Sequence, residues 1–198
     1  AIGGTVGFVG AWIIFGTALV GGAPASAYEV WLTDQSDTGK ESGGYLHIYD
    51  GAQLAADPSG AKPTVTMDLS GDVNKLCEEA TKKPVRRPHM LFFTKDQSHV
   101  ILSFLSGHVL FMDAVTKKPE ACLSMGKNVH AAWPTPDQKM AIAANIAEKK
   151  FIRIWTDYAA HKFSFDPEKD VLNLGALESG ERPDTSPICP ITEASSHY

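Results

Sequence analysis

Beyond its first 22 residues, this 198-residue chain has no long hydrophobic run and almost no apolar spacing of helical period. It also lacks a basic face, with 18 Lys and Arg against 23 Asp and Glu and a net charge of -5. A phosphate backbone asks for clustered cations, so this balance argues against nucleic acid as a partner. The single basic cluster, KKPVRRP at 82–88, is short and holds two prolines, and reads as a solvated inter-strand loop. Cysteine is scarce. Cys77, Cys122 and Cys189 fit no CxxC or metal-ligand spacing. There is no GxSxG elbow, Walker loop, GxGxxG after a strand, HExxH or CxxCH, so no local signature of catalysis is present.

What is present starts at the N-terminus. AIGGTVGFVGAWIIFGTALVGG, residues 1–22, carries no charged residue. As a helix it would be about 33 Å long, enough to cross a hydrocarbon core of about 30 Å. Small residues at Ala25 and Ala27 suit signal-peptidase cleavage, but the run exceeds the h-region of a typical signal. Of the two readings, cleaved signal or retained anchor, the expectation is a transmembrane anchor over 1–22, a linker at 23–27 and a domain from 28 to 198. Gly3, Gly7 and Gly10 are its candidate helix-packing residues, Gly3 and Gly7 forming a GxxxG pair that allows close approach of another helix. The implied partner is an integral membrane protein complex. The remaining chain would lie across the membrane, in the periplasm at a bacterial inner membrane. An oxidising compartment permits one disulfide, for which Cys77 with Cys122 is the expected pair and buried free thiols the alternative.

From residue 28 the pattern is of short apolar strands separated by Gly, Asp, Asn and Pro turns. Strands are expected at 29–35, 45–50 and 64–70, then at 90–96, 99–105, 108–114 and 121–126. A third set follows at 131–137, 139–146, 151–157 and 161–166. PHMLFFTKDQSHVILSF aligns without a gap on VHAAWPTPDQKMAIAAN at an offset of 41 residues. His89 falls on His130, Thr94 on Thr135, Asp96 on Asp137 and Gln97 on Gln138. A third copy begins near PICPITEASSHY, where Pro187 replaces the histidine and His197 falls on His99. YLHIYD, HVLFMD and FIRIWTD each end an apolar strand on Asp, and Asp50, Asp113 and Asp157 are expected to bond turn amides. Four strands every 40–45 residues is the period of a β-propeller blade.

RPHMLFFTKDQSHVILSF and GHVLFMDAVTKKPEACLSMG together resemble a blade of the YVTN-type β-propellers, which reads PHxxxxSPDGxxxYVxN…xxVxVIDxxT. The resemblance covers roughly 28–198 and implies an all-β, seven-bladed type of propeller of which only about three blades are present here. The expected blades are at 88–126 and 128–166, preceded by one lacking its innermost strand, with the natural chain continuing past Tyr198. Related propellers include the haem domain of dissimilatory nitrite reductase, the heavy chain of methylamine dehydrogenase and copper-dependent thiol and thiocyanate oxidising proteins. Fold alone does not assign chemistry.

His89 and His130 open successive innermost strands, so they are expected side by side on one rim of the central channel. Such a pair could bind copper, zinc or haem iron, or serve acid–base chemistry. The plainer reading is a frequent opening of the repeat whose imidazoles satisfy backbone groups between blades. His99 and His197 are expected to fill positions between blades, His47 and His108 to reach the surface, and His161 to precede an outermost strand. Trp31, Trp133 and Trp155 read as blade-packing aromatics. The acidic stretch 166–187 reads as a long loop and possible docking surface. Two functions follow. The favoured one is a membrane-anchored, non-catalytic accessory or scaffold subunit without a cofactor. The alternative is a periplasmic copper- or haem-dependent oxidoreductase with His89 and His130 as rim ligands.

Overall fold

The computed structural model describes residues 28 to 36 and 43 to 174. The segment 1–22 with Gly3, Gly7 and Gly10, the linker, Cys189 and the third repeat copy lie outside the described residues. Among those described, no helix is long and apolar enough to cross a membrane.

Alternating apolar residues and tight turns build three successive antiparallel sheets. The first runs β1 (Glu29–Asp34), β2 (Tyr45–Asp50), β3 (Val65–Asp68), in that spatial order. The second runs β4 (Pro88–Phe93), β5 (His99–Phe104), β6 (His108–Asp113), β7 (Pro119–Ser124), again neighbour to neighbour. The third runs β8 (Val129–Pro134), β9 (Met140–Asn145), β10 (Lys150–Asp157), β11 (Lys162–Ser164). Up-and-down sheets of this kind, stacked face on face, are blades of a β-propeller, and the two expected full blades are where the repeat put them.

The repeat is visible as geometry. Thr94 Oγ1 donates to Asp96 Oδ1 at 2.7 Å, and Thr135 Oγ1 to Asp137 Oδ1 at 2.6 Å. Gln97 and Gln138 take φ of 59° and 60°, each closing its turn onto a threonine carbonyl. The strand-ending aspartates behave as expected: Asp50 Oδ1 accepts from Gln53 N, Asp113 Oδ1 from Val115 N and Asp157 Oδ1 from Ala160 N. At the β5–β6 turn only glycine fits, since Gly107 has φ of 97° and a Cβ there would lie 1.7 Å from Gly126 O.

Period-2 alternation divides the second sheet between two cores. Val100, Leu102 and Phe104 of β5, with Leu110 and Met112 of β6, pack toward the first sheet. Ile101, Val109 and Phe111 pack toward the third, against Val129, Ala132, Ala141, Ala143, Ile152 and Ile154. With both faces covered, all six residues of β5 are buried, whereas β9 alternates buried and half-buried.

Five features depart from the sequence reading. Two helices interrupt the first sheet's run, α1 (Gly51–Ala56) and α2 (Asp72–Thr81). α2 fits no strand pattern because Val73, Leu76 and Cys77 recur at helical spacing and face the first core. The loop after it is not wholly solvated: Val85 is buried, its N–H held by Asn74 Oδ1 and its carbonyl by Gly43 N. The stretch 166–187 contains a short strand, β12 (Val171–Asn173), paired with β10. His108 is not at the surface but fully buried. Trp155, by contrast, is 45% exposed, with Arg153 over its ring. The Cys77–Cys122 disulfide is formed, tying α2 to β7 and so the first sheet's run to the second sheet.

Candidate functional site

The two repeat histidines come together. His89 starts β4 and His130 lies in β8, and their rings meet edge to face with centroids 4.4 Å apart. Each is held through its backbone by the preceding blade. Thr33 Oγ1 donates to His89 O at 2.7 Å, and Ser103 Oγ to His130 O at 2.9 Å. These matching hydroxyls identify β1 as the counterpart of β5, a second strand rather than an innermost one. Gln35 Nε2 donates to His89 Nδ1. Burial foremost, then His130 and Arg87, holds His89 below the usual imidazole value, so it is neutral. A neutral imidazole is the ligand form. Among the described residues, however, no third His, Cys, Asp or Glu joins the pair in a ligand group.

A second cluster lies at the other side of the seam between second and third sheets, built from residues that do not correspond in the repeat. His99 opens β5, where Thr94 Oγ1 receives its N–H at 3.0 Å. Glu120 is in β7, the outer strand of the second sheet. Met112 pairs with Pro119 and Phe111 with Ala121, so Glu120 is the extra residue of a β-bulge. Cys122, two residues on, packs into the first core. Regular alternation would send Glu120 the same way; the bulge turns it to the third sheet. His161 closes the β10–β11 turn at φ 51°, in a turn fixed by Asp157.

His99 Nε2 stands 3.3 Å from Glu120 Oε2, and His161 Nδ1 stands 2.9 Å from Glu120 Oε1. The three ligand atoms lie within 4.8 Å of one another, the one such group among the described residues. The His99 and Glu120 side chains are only 9% and 11% exposed, whereas His161 is 61% exposed. Tyr158 packs on His99 with ring centroids 4.8 Å apart, and burial raises its hydroxyl above the usual phenol value. Tyr158 also lines an open groove of about 390 Å³ with Thr94, Lys95, Asp96 and Gln138. Sequence reasoning placed His99 and His161 correctly on their elements but missed Glu120, because nothing in PEACLS marks a bulge.

The other two described histidines, His108 and His47, are structural. His108 sits between Thr81 Oγ1 and Ser106 Oγ, each at 2.9 Å, and burial foremost, then Lys83, lowers it to about 4. His47 contacts Thr66 Oγ1 at 3.1 Å and Asp34 Oδ2 at 3.5 Å. Trp31 packs edge-on against Phe93 in the first core.

No model of a known family matches the chain, and no curated protein does. Solved structures that resemble it include the β-propeller domain of Cps50 (Swd1) from Myceliophteria thermophila, at 12% identity and a TM-score of 0.40 over 57% of this chain and 32% of that one. A protein from Lactobacillus plantarum is similar at 14% identity and a TM-score of 0.47, over 65% and 36%. The periplasmic gluconolactonase PpgL of Pseudomonas aeruginosa is similar at 17% identity and a TM-score of 0.43, over 61% and 33%. The chain thus spans about a third of the length of these proteins. What they bind or catalyse does not pass to this chain.

Proposed function

We propose that this chain belongs to a membrane-tethered β-propeller of the YVTN-like, seven-bladed type, an accessory or scaffold subunit of a membrane protein complex. Its propeller stands in the periplasm at a bacterial inner membrane. The observation that carries this reading is the Cys77–Cys122 disulfide in a domain that follows a charge-free run of 22 residues. Disulfides persist in oxidising compartments, and the run has the length to span a bilayer. Gly3, Gly7 and Gly10 supply the contact with the partner's helices by shape, since lipid offers no hydrophobic drive between helices. The outward face of the third sheet, with Phe151 39% and Leu172 44% exposed, is where the next blade stacks.

The test is membrane fractionation of the native protein with sequencing of its mature N-terminus. The expected result is a chain that resists alkaline extraction and keeps residues 1–22. A mature chain starting at Tyr28 overturns the tether. Gly3→Leu with Gly7→Leu should leave the chain in the membrane but reduce the size of its native complex.

One observation favours a second reading, a periplasmic copper- or haem-dependent oxidoreductase: His89 and His130 meet at 4.4 Å, with His89 neutral. Stoichiometric copper or haem in the native protein, lost in His89→Ala, would establish it over the scaffold.

A further inference from the structure

We propose that His99, Glu120 and His161 bind a divalent metal ion of the zinc class, stapling the outer strand of the second sheet to the β10–β11 turn of the third. Two imidazoles and one carboxylate are a ligand set that zinc takes when a fourth position stays open. Ligand atoms around a tetrahedral zinc, each about 2.1 Å from it, stand about 3.4 Å apart. The spacings here are 3.3 Å and 2.9 Å, within an outer limit of 4.8 Å.

The hydrogen-bond network fixes which nitrogen of His99 is available. Asp96 accepts from the hydroxyls of Thr94 and Ser98 and from Ser98 N, which lowers its carboxyl to about 2. The Ser98 hydroxyl hydrogen is therefore committed to Asp96 at 2.8 Å. Ser98 Oγ, 2.8 Å from His99 Nδ1, must then accept from it. That puts the proton on Nδ1 and leaves the Nε2 lone pair facing Glu120 Oε2. Both of these atoms are buried and neither has a hydrogen-bond partner. Two facing acceptors repel, and no hydrogen bond joins them. Ligands of one tetrahedral ion point at the ion, not along the line joining them. A cation beside that line satisfies both atoms at once. The relay from His99 Nδ1–H through Ser98 to Asp96 is the outer shell that metal-binding imidazoles have, and it fixes the tautomer.

The bulge supplies the reason for Glu120's position. A regular β7 would bury this carboxylate in the apolar first core; the extra residue delivers it to the two histidines. Exposure of His161 leaves the open coordination position toward solvent, so the site can take a water or a ligand of the partner in addition to stapling the sheets.

The experiment is calorimetric titration of the untagged full chain with zinc chloride, alongside Co²⁺ absorption as a reporter of tetrahedral coordination. One site per chain is expected, with tetrahedral Co²⁺ bands. Glu120→Gln and His161→Ala should abolish it, and Ser98→Ala should weaken it about tenfold or more through the lost tautomer control. His161 is exposed, so its variant keeps the fold even where a change at His99 does not. His89→Ala should bind as the unaltered chain does. Absence of zinc binding, or binding that survives Glu120→Gln and His161→Ala, or binding that disappears instead with His89→Ala, overturns the proposal. The result is independent of the membrane tether.

Discussion

Among the described residues, the second sheet takes part in two seams, and they are built differently. Toward the first sheet, large side chains (Leu46, Leu69, Leu102, Phe104, Met112) interdigitate, and the disulfide from α2 to β7 closes the outside. Toward the third sheet, Ala132, Ala141 and Ala143 stand among Ile101, Val109, Phe111, Met125, Ile152 and Ile154, so that small side chains alternate with large ones. No covalent link closes that seam among the described residues; the His99–Glu120–His161 cluster does. One strand, β7, carries both closures, with Cys122 facing one way and Glu120 the other. A covalent clamp and an ionic one thus stand two residues apart, separated by a bulge.

The sharpest way to break the asymmetry is to remove the largest fully buried side chain of the alanine-rich seam. Phe111 is fully buried and stacks on Phe163 with centroids 4.0 Å apart and planes 15° from parallel. Phe111→Ala should destabilise the chain by about 4 kcal/mol, since the surrounding side chains relax only partly into the cavity. Urea unfolding checks this. A loss under about 1 kcal/mol would show that the third sheet is not held by this core.

Opening the covalent clamp comes next. The disulfide spans 45 residues of chain. Removing it with Cys77→Ala and Cys122→Ala together should cost about 3 kcal/mol, mainly by freeing the unfolded chain. The same loss should appear on reduction of the unaltered protein, and reduction should leave the double variant unchanged.

His108 separates the seams by pH. It lies in the first seam between α2 and the second sheet, lowered to about 4 by burial. An unfolded histidine titrates near pH 6.5, so the native state binds fewer protons between these values. The stability it contributes is therefore complete above about pH 6.5 and is lost as pH falls toward 4, by about 3 kcal/mol. His108→Gln should flatten that part of the pH–stability curve. An unchanged slope would mean that another group carries it.

What could be read in the sequence follows from this contrast. The 41-residue offset exposes whatever repeats, and so it gave the blade borders, the Thr–Asp turns and the meeting of His89 with His130. The outer cluster does not repeat. The counterpart of His99 is Met140, and Glu120 owes its direction to a register shift that leaves no mark in residue types. α2 was obscured for another reason: DVNKLCEEAT has helical spacing, but only Val73 and Cys77 of it are buried, too few to stand out against the strands around it. The polar composition of 82–88 points Val85 to solvent and strand alternation points His108 there, whereas packing of α2 against both decides their burial.

The smallest effect compares the two copies of one turn. Gln97 and Gln138 hold φ of 59° and 60°, a left-handed region that favours glycine and where a side chain costs about 1 kcal/mol or more. Gln97 is exposed and its backbone N–H alone closes the turn, so Gln97→Gly should stabilise by about 0.5 kcal/mol, the relieved strain outweighing the added freedom of the unfolded chain. Gln138 sits in the same conformation but is used. Its Oε1 accepts from Lys95 N at 3.0 Å, reaching across to the second sheet, and its Nε2 donates to Thr135 O at 2.6 Å. Gln138→Gly relieves the same strain but strips those bonds, for a net loss of about 1 kcal/mol. Equal conformations with opposite signs of effect are the expected outcome in parallel thermal melts. If both substitutions stabilise alike, the Gln138 bridge between the second and third sheets contributes nothing to holding that seam.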